Sequence, residues 1–69
     1  MSENKLDKRF GSVAVEKKFI TIENLYEAMK IQIQDDLSGS VHRPIGQILW
    51  ELGVITNEQI GEVLKTMGI

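Results

Sequence analysis

Phe10 to Lys30, FGSVAVEKKFITIENLYEAMK, and Ile45 to Lys65, IGQILWELGVITNEQIGEVLK, are one stretch written twice, and their reading decides the fold. A shift of thirty-five positions aligns them without a gap. Gly11 falls on Gly46, Glu16 on Glu51, Ile20 on Ile55 and Thr21 on Thr56; Glu23 falls on Glu58, Glu27 on Glu62 and Lys30 on Lys65. The apolar positions agree as well: Phe10 with Ile45, Val13 with Ile48, Ala14 with Leu49, Phe19 with Val54, Leu25 with Ile60, Met29 with Leu64. Self-similarity at a fixed period means one supersecondary unit used twice, each copy burying a face it cannot bury alone.

Working outward, each copy reads as two short helices. Ile45, Ile48, Leu49 and Leu52 form one helical stripe, and Phe10, Val13 and Ala14 begin the same stripe in copy one. Val13-Ala14-Val15 and Phe19-Ile20-Thr21-Ile22 are also β-rich enough to be written as a hairpin. The second copy, Ile48 to Leu52, continues a helical period and favours helix. Gly53 is suited to end its helix in a left-handed conformation. Lys18 stands at the matching position, so that end is expected to be looser or held differently.

Thr21 and Thr56 are placed to cap the next helices, each hydroxyl accepting from an orphan backbone N–H. Gln59 completes a capping box after Thr56, and Asn24 is a weaker substitute after Thr21. Ile20 with Leu25, and Ile55 with Ile60, have the spacing of a hydrophobic staple. The second helix of copy one is expected from Ile22 to about Asp35, with Ile22, Leu25, Met29 and Ile33 inward and Tyr26 flanking. Its counterpart runs from Asn57 to about Met67 with Ile60, Val63, Leu64 and Met67 inward, and Gly68 stops it. Residues 36–44 read as a connecting loop, with Pro44 in the first turn of the third helix. The links Lys18-Phe19-Ile20 and Gly53-Val54-Ile55 are too apolar for exposed loops and should fold onto the core.

The expected fold is all-α: two tandem helical hairpins packed as a compact four-helix unit with pseudo-two-fold symmetry. Residues 1–8 are polar apart from Leu6 and read as a frayed arm before a single domain, 9–69, with repeat one at 9–32 and repeat two at 44–67.

Composition narrows the function. At 69 residues folding buries only about 60% of the unfolded surface, so stability rests on helix packing or on a partner or second copy. With no cysteine there is neither a disulfide nor a thiolate metal site, and a cytoplasmic location is the simplest expectation. A formal charge of −2 gives no footprint for DNA, RNA or anionic lipid, and no apolar run approaches a membrane span or a signal peptide. Catalytic chemistry is equally thin, and no enzyme is expected. The single histidine, His42, reads as a solvated loop residue, and Asp35-Asp36 as a turn-promoting pair. Glu23, Glu27, Glu58 and Glu62 read as solubilising rather than metal-binding, and no phosphate-cradling glycine loop is present. Trp50 stands beside the Ile45/Ile48/Leu49/Leu52 stripe. It either covers the flank of the core or faces a partner.

The stretch from Ile45 to Ile60 resembles the LGxxLxxxGxITxxQL signature of the N-terminal domains of bacterial type II secretion and type IV pilus assembly ATPases, including the MshEN type. Arg9 to Gln32 resembles the same motif. The resemblance does not extend to an ATPase domain, and no ATP hydrolysis is carried over. MshEN-type members bind cyclic di-GMP through tandem motifs of about the form RLGxxLxxxGxIxxxxLxxxLxxQ. By resemblance, Arg9, Gly11 and Gln32 of copy one, and Gly46, Leu49 and Gly53 of copy two, are the candidate ligand residues. Copy one also keeps Ile20 and Leu25 but has Phe10 and Ala14 for Leu and Lys18 for Gly. Copy two keeps Ile55 and Leu64, with Pro44 where Arg belongs and Met67 where Gln belongs; Arg43, one residue early, is the substitute candidate. The resemblance thus implies two functions: docking to a protein partner of a secretion or pilus machinery, such as an inner-membrane platform, with Trp50 on the partner surface; or cyclic di-GMP binding. No other cofactor or metal is expected. A purely structural helical subunit, tightly homo-oligomeric, is a third reading.

Overall fold

The structure, a computed structural model, describes residues 5–68. Four helices follow one another: α1 (Lys5–Glu16), α2 (Ile22–Ser38), α3 (Ile45–Glu51) and α4 (Asn57–Met67), with no strand among the described residues. The β-branched run Val13-Ala14-Val15 lies inside α1, and Phe19 to Thr21 forms the turn into α2. The helical alternative therefore wins over the hairpin in both copies.

The repeat is visible bond by bond. At the end of α1, Lys17 N donates to Val13 O (2.9 Å), Lys18 N to Val15 O (2.9 Å) and Phe19 N to Ala14 O (3.0 Å). Thirty-five residues on, Leu52 N donates to Ile48 O (2.9 Å), Gly53 N to Trp50 O (3.0 Å) and Val54 N to Leu49 O (3.2 Å). These close the orphan carbonyls of the last turn in both copies. The turn needs a left-handed residue. Gly53 supplies it at φ 79°, and Lys18 is forced into the same conformation at φ 64°. So the copy-one end is held in the same way as copy two, against the strain of a Cβ. Lys18→Gly is expected to stabilise the fold by about 1 kcal/mol, and Gly53→Lys to cost about as much, read as opposite shifts in urea midpoint.

The next turn repeats too. Thr21 (φ −98°, ψ 167°) and Thr56 (φ −100°, ψ 165°) both cap with full boxes. Each hydroxyl accepts from the third residue on, Asn24 N or Gln59 N at 3.1 Å, and the Asn24 or Gln59 side chain accepts from the threonine N–H at 3.0 Å. Asn24 is thus a full member of its box. Thr21→Ala and Thr56→Ala should each cost about 0.5–2 kcal/mol by urea denaturation, and similarly to one another because the two boxes are alike.

Packing crosses between copies. The most extensive contacts are α2 with α3 and α1 with α4, followed by α1 with α3; α1 and α2 touch much less. A two-fold that exchanges the copies maps α1 onto α3 and α2 onto α4, so it interconverts the two main contacts and keeps the third. The core has the same logic. Phe10 with Ile45, Ala14 with Leu49, Ile20 with Ile55 and Ala28 with Val63 are matched pairs, and all eight side chains are buried. Phe19 and Val54, in the links, pack against this core as expected.

Several boundaries differ from the sequence reading. Residues 5–8 are the first turn of α1 rather than an arm, while residues 1–4 lie outside the described residues. α2 continues to Ser38, so the connecting loop is 39–44; Gly39, left-handed at φ 78°, is the residue that stops it. Pro44 precedes α3 as an extended N-cap instead of sitting in its first turn. The inward face of α2 is also rotated: Leu25 and Ala28 are buried, whereas Ile22 and Ile33 are 43% and 57% exposed. The arc that faces the core is the one carrying Leu25 and Ala28, and it turns the isoleucines outward. Leu52 is exposed as well, since α3 ends at Glu51, before it can extend the stripe.

Candidate functional site

Two features meet where the copies face each other: a polar knot and an apolar groove. The knot begins with α3, whose first N–H groups have no partner within the helix. Its N-cap is Pro44, which offers no side-chain acceptor. Asp7, buried on the first turn of α1, fills that role across the interface, its Oδ1 accepting from Ile45 N at 3.3 Å. Asp7 Oδ2 accepts from Gln32 Nε2 at 2.7 Å, and the same amide donates to Arg43 O at 2.9 Å. Both Gln32 hydrogens are therefore used inside the fold.

Around this centre the loop is tied down by charge. Arg43 reaches Asp35 through Nε (2.8 Å) and Nη2 (2.7 Å), and Glu51 through Nη1. Asp35 first, and Glu51 second, hold the guanidinium pKa above its already high value. Gln47, and next Arg43, hold the Glu51 carboxyl below the usual carboxylate range. A depressed carboxylate contributes stability above its unfolded pKa and loses it as pH falls through the folded value. Replacing it by Glu51→Gln should therefore lower stability at neutral pH, the gap to the wild-type chain closing as pH falls through the acid range, as followed by thermal melts. His42 stands between two acids, Nδ1 at 3.2 Å from Asp36 Oδ1 and Nε2 at 3.7 Å from Asp7 Oδ2, and is half-exposed. This is more contact than a solvated loop histidine implies. Among the described residues no group of three or more His, Cys, Asp or Glu is arranged to hold a metal.

The groove opens beside the knot, between the start of α1 and the facing sides of α3 and α4. Its volume is about 700 Å³. Leu6, Phe10, Trp50, Ile60, Leu64 and Met67 make its walls, with Pro44 and Gly46 on the α3 side and Asp7 and His42 at one end. The repeat explains why it is open. Gln32 and Met67 occupy matched positions, as do Asp7 and His42. In copy one the Gln32 amide closes onto Asp7 and the Arg43 carbonyl; in copy two Met67 has no polar head to do likewise, and it lines the groove.

The sequence-derived candidates fall into distinct places. Leu49 is fully buried and Gly53 is the left-handed turn residue; both serve the fold. Gly11 is buried, and a Cβ there would lie 2.5 Å from Leu25 Cδ1, so it is a close-packing position. Gln32 and Arg43 are joined in the knot. Arg9 is exposed on α1 and is not part of the groove wall. Gly46 lines the groove, where a Cβ would come within 3.0 Å of the Phe10 ring. Trp50, 49% exposed, forms part of the wall as well. Of the seven candidate ligand residues, then, one reaches the groove. The residues that sequence reasoning missed are Asp7, Phe10 and Leu6. Leu6 and Phe10 at i, i+4 were the available signal, extending the α1 stripe back by one turn.

Comparison of the chain with protein-family models, with curated proteins and with solved structures finds no match.

Proposed function

We propose that the chain is a non-catalytic docking module whose groove receives the apolar face of an amphipathic helix from a protein partner. The resemblance to the N-terminal domains of secretion and pilus ATPases suggests that the partner belongs to such a machinery and is met in the cytoplasm. The groove carries the reading. Its volume falls in the range of natural binding clefts, about 300–1,000 Å³, and its walls are apolar, with a half-exposed tryptophan of the kind that anchors interfaces. A helix is the occupant that presents apolar side chains at i, i+4 and i+7 to such a trough while satisfying its own backbone.

Charge weighs against cyclic di-GMP as the occupant. No Arg or Lys is among the groove residues, and the Asp7 carboxylate stands at one end. The chain carries a net −2, whereas the ligand brings two phosphates. Gln32 and Arg43, two of the polar groups that would read a guanine, already have partners.

The test is a titration of the full chain with the purified cytoplasmic domain of an inner-membrane platform protein of a type II secretion or type IV pilus system. Trp50, the sole tryptophan, reports directly. A saturable blue shift is expected, with Met67→Glu weakening binding at least about tenfold while far-UV circular dichroism is retained. Binding that is indifferent to Met67→Glu overturns the groove as the site. Saturable amide shifts at Arg9, Gly11 and Gly46 on adding cyclic di-GMP would favour the nucleotide instead.

A further inference from the structure

The longest helix leaves an apolar stripe uncovered on the side of the molecule that the groove does not use. Ile22, Tyr26, Ile33 and Leu37 of α2 are 43%, 64%, 57% and 82% exposed. At ~100° per residue they fall within an arc of about 60°, with half-buried Met29 at its edge. None of them lines the groove.

Their spacing is its own mirror image. The intervals run four, seven and four residues, symmetric about the point between Met29 and Lys30. Two copies of α2 laid antiparallel about that point would set Ile22 over Leu37 of the second copy, and Tyr26 over its Ile33. An isologous two-fold contact needs this self-complementarity, because residue i must meet j while j meets i. A stripe evolved for an unrelated helix carries no such constraint. On one flank Lys30 lies next to the midpoint, where the same register brings it within reach of Glu27 of the second copy. The apolar side chains and flanking stems would bury roughly 1,000 Å² over both copies, about the lower bound for a specific interface.

We infer that α2 is a homodimerisation surface, two copies pairing antiparallel through Ile22, Tyr26, Ile33 and Leu37. The dimer leaves both grooves open and so presents two docking sites. The area lies at the small end of specific interfaces, so association is sought at high concentration, about 100 µM chain.

Sedimentation velocity and cysteine cross-linking test this, and the chain has no native cysteine to interfere. The sedimenting mass at about 100 µM should be twice the 7.8 kDa of the monomer. Tyr26→Glu and Ile33→Glu should each return it to monomer without loss of helical circular dichroism, since both positions face solvent. Under mild oxidation Lys30→Cys, beside the two-fold, should link to itself. Ile22→Cys should link to Leu37→Cys when the two are mixed, and not to itself. A monomer at 100 µM overturns the inference, as does a dimer unaffected by both glutamates or one in which Ile22→Cys links to itself, the mark of parallel pairing.

Discussion

Leu49→Ala is expected to cost about 2–5 kcal/mol, the largest loss of any single substitution considered and a large share of the chain's stability. Leu49 is completely inaccessible, among the largest such side chains with Ile45, Ile48 and Val63. It also sits on α3, which packs against both α1 and α2, so a cavity there loosens two interfaces at once. Its matched residue, Ala14, is also completely inaccessible, as are both members of the pair Ala28 and Val63. Copy one thus contributes the small member of both pairs and copy two the large. The copies have diverged to fit one shared core, and the volume at Leu49 has no equivalent in copy one to compensate for it. Equilibrium urea unfolding followed by far-UV circular dichroism gives the loss directly. A cost under 1 kcal/mol would mean that α3 does not hold this position.

Asp7→Ala ranks second. It should cost about 1–3 kcal/mol, because it removes at once the acceptor for the first N–H of α3, which is buried, and the acceptor for the Gln32 amide, which is partly buried. Asp7→Asn keeps an oxygen for one of the two donors and should lose less. Gln32→Ala removes one arm of the knot and leaves the cap intact, so it should be milder than Asp7→Ala. A double-mutant cycle between Asp7 and Gln32 isolates their coupling, expected at about 0.5–3 kcal/mol.

How far these features were legible in the chain depends on their range. The duplication, the two threonine caps, the glycine turn at Gly53 and the folded-down links at Phe19-Ile20 and Val54-Ile55 are local patterns, and they read correctly. Asp7 was invisible for a physical reason. Its partner is the backbone of Ile45, thirty-eight residues away, and nothing in the polar run around it distinguishes a cap for a distant helix from a solvated acid. Ile22 and Ile33 failed differently. Periodicity identifies an apolar face, but α2 carries apolar residues around most of its circumference, and only its packing against the rest of the core decides that Leu25 and Ala28 are the covered arc. At the site, the motif positions Gly46 and Met67 reached the groove wall, whereas Arg9 did not. The repeat locates the helices well; Met67, standing where copy one has Gln32, changes what lies between them.

The central claim is that two copies of one helical pair fold by packing across each other, and nuclear Overhauser contacts in the uniformly labelled chain test it most directly. Interhelical contacts should be densest between α1 and α4 and between α2 and α3, with helical patterns through Val13–Val15 and again through Ile48–Trp50. Contacts concentrated within α1–α2 and α3–α4, or strand-like patterns joining Val13–Val15 to Phe19–Ile22, would contradict the account.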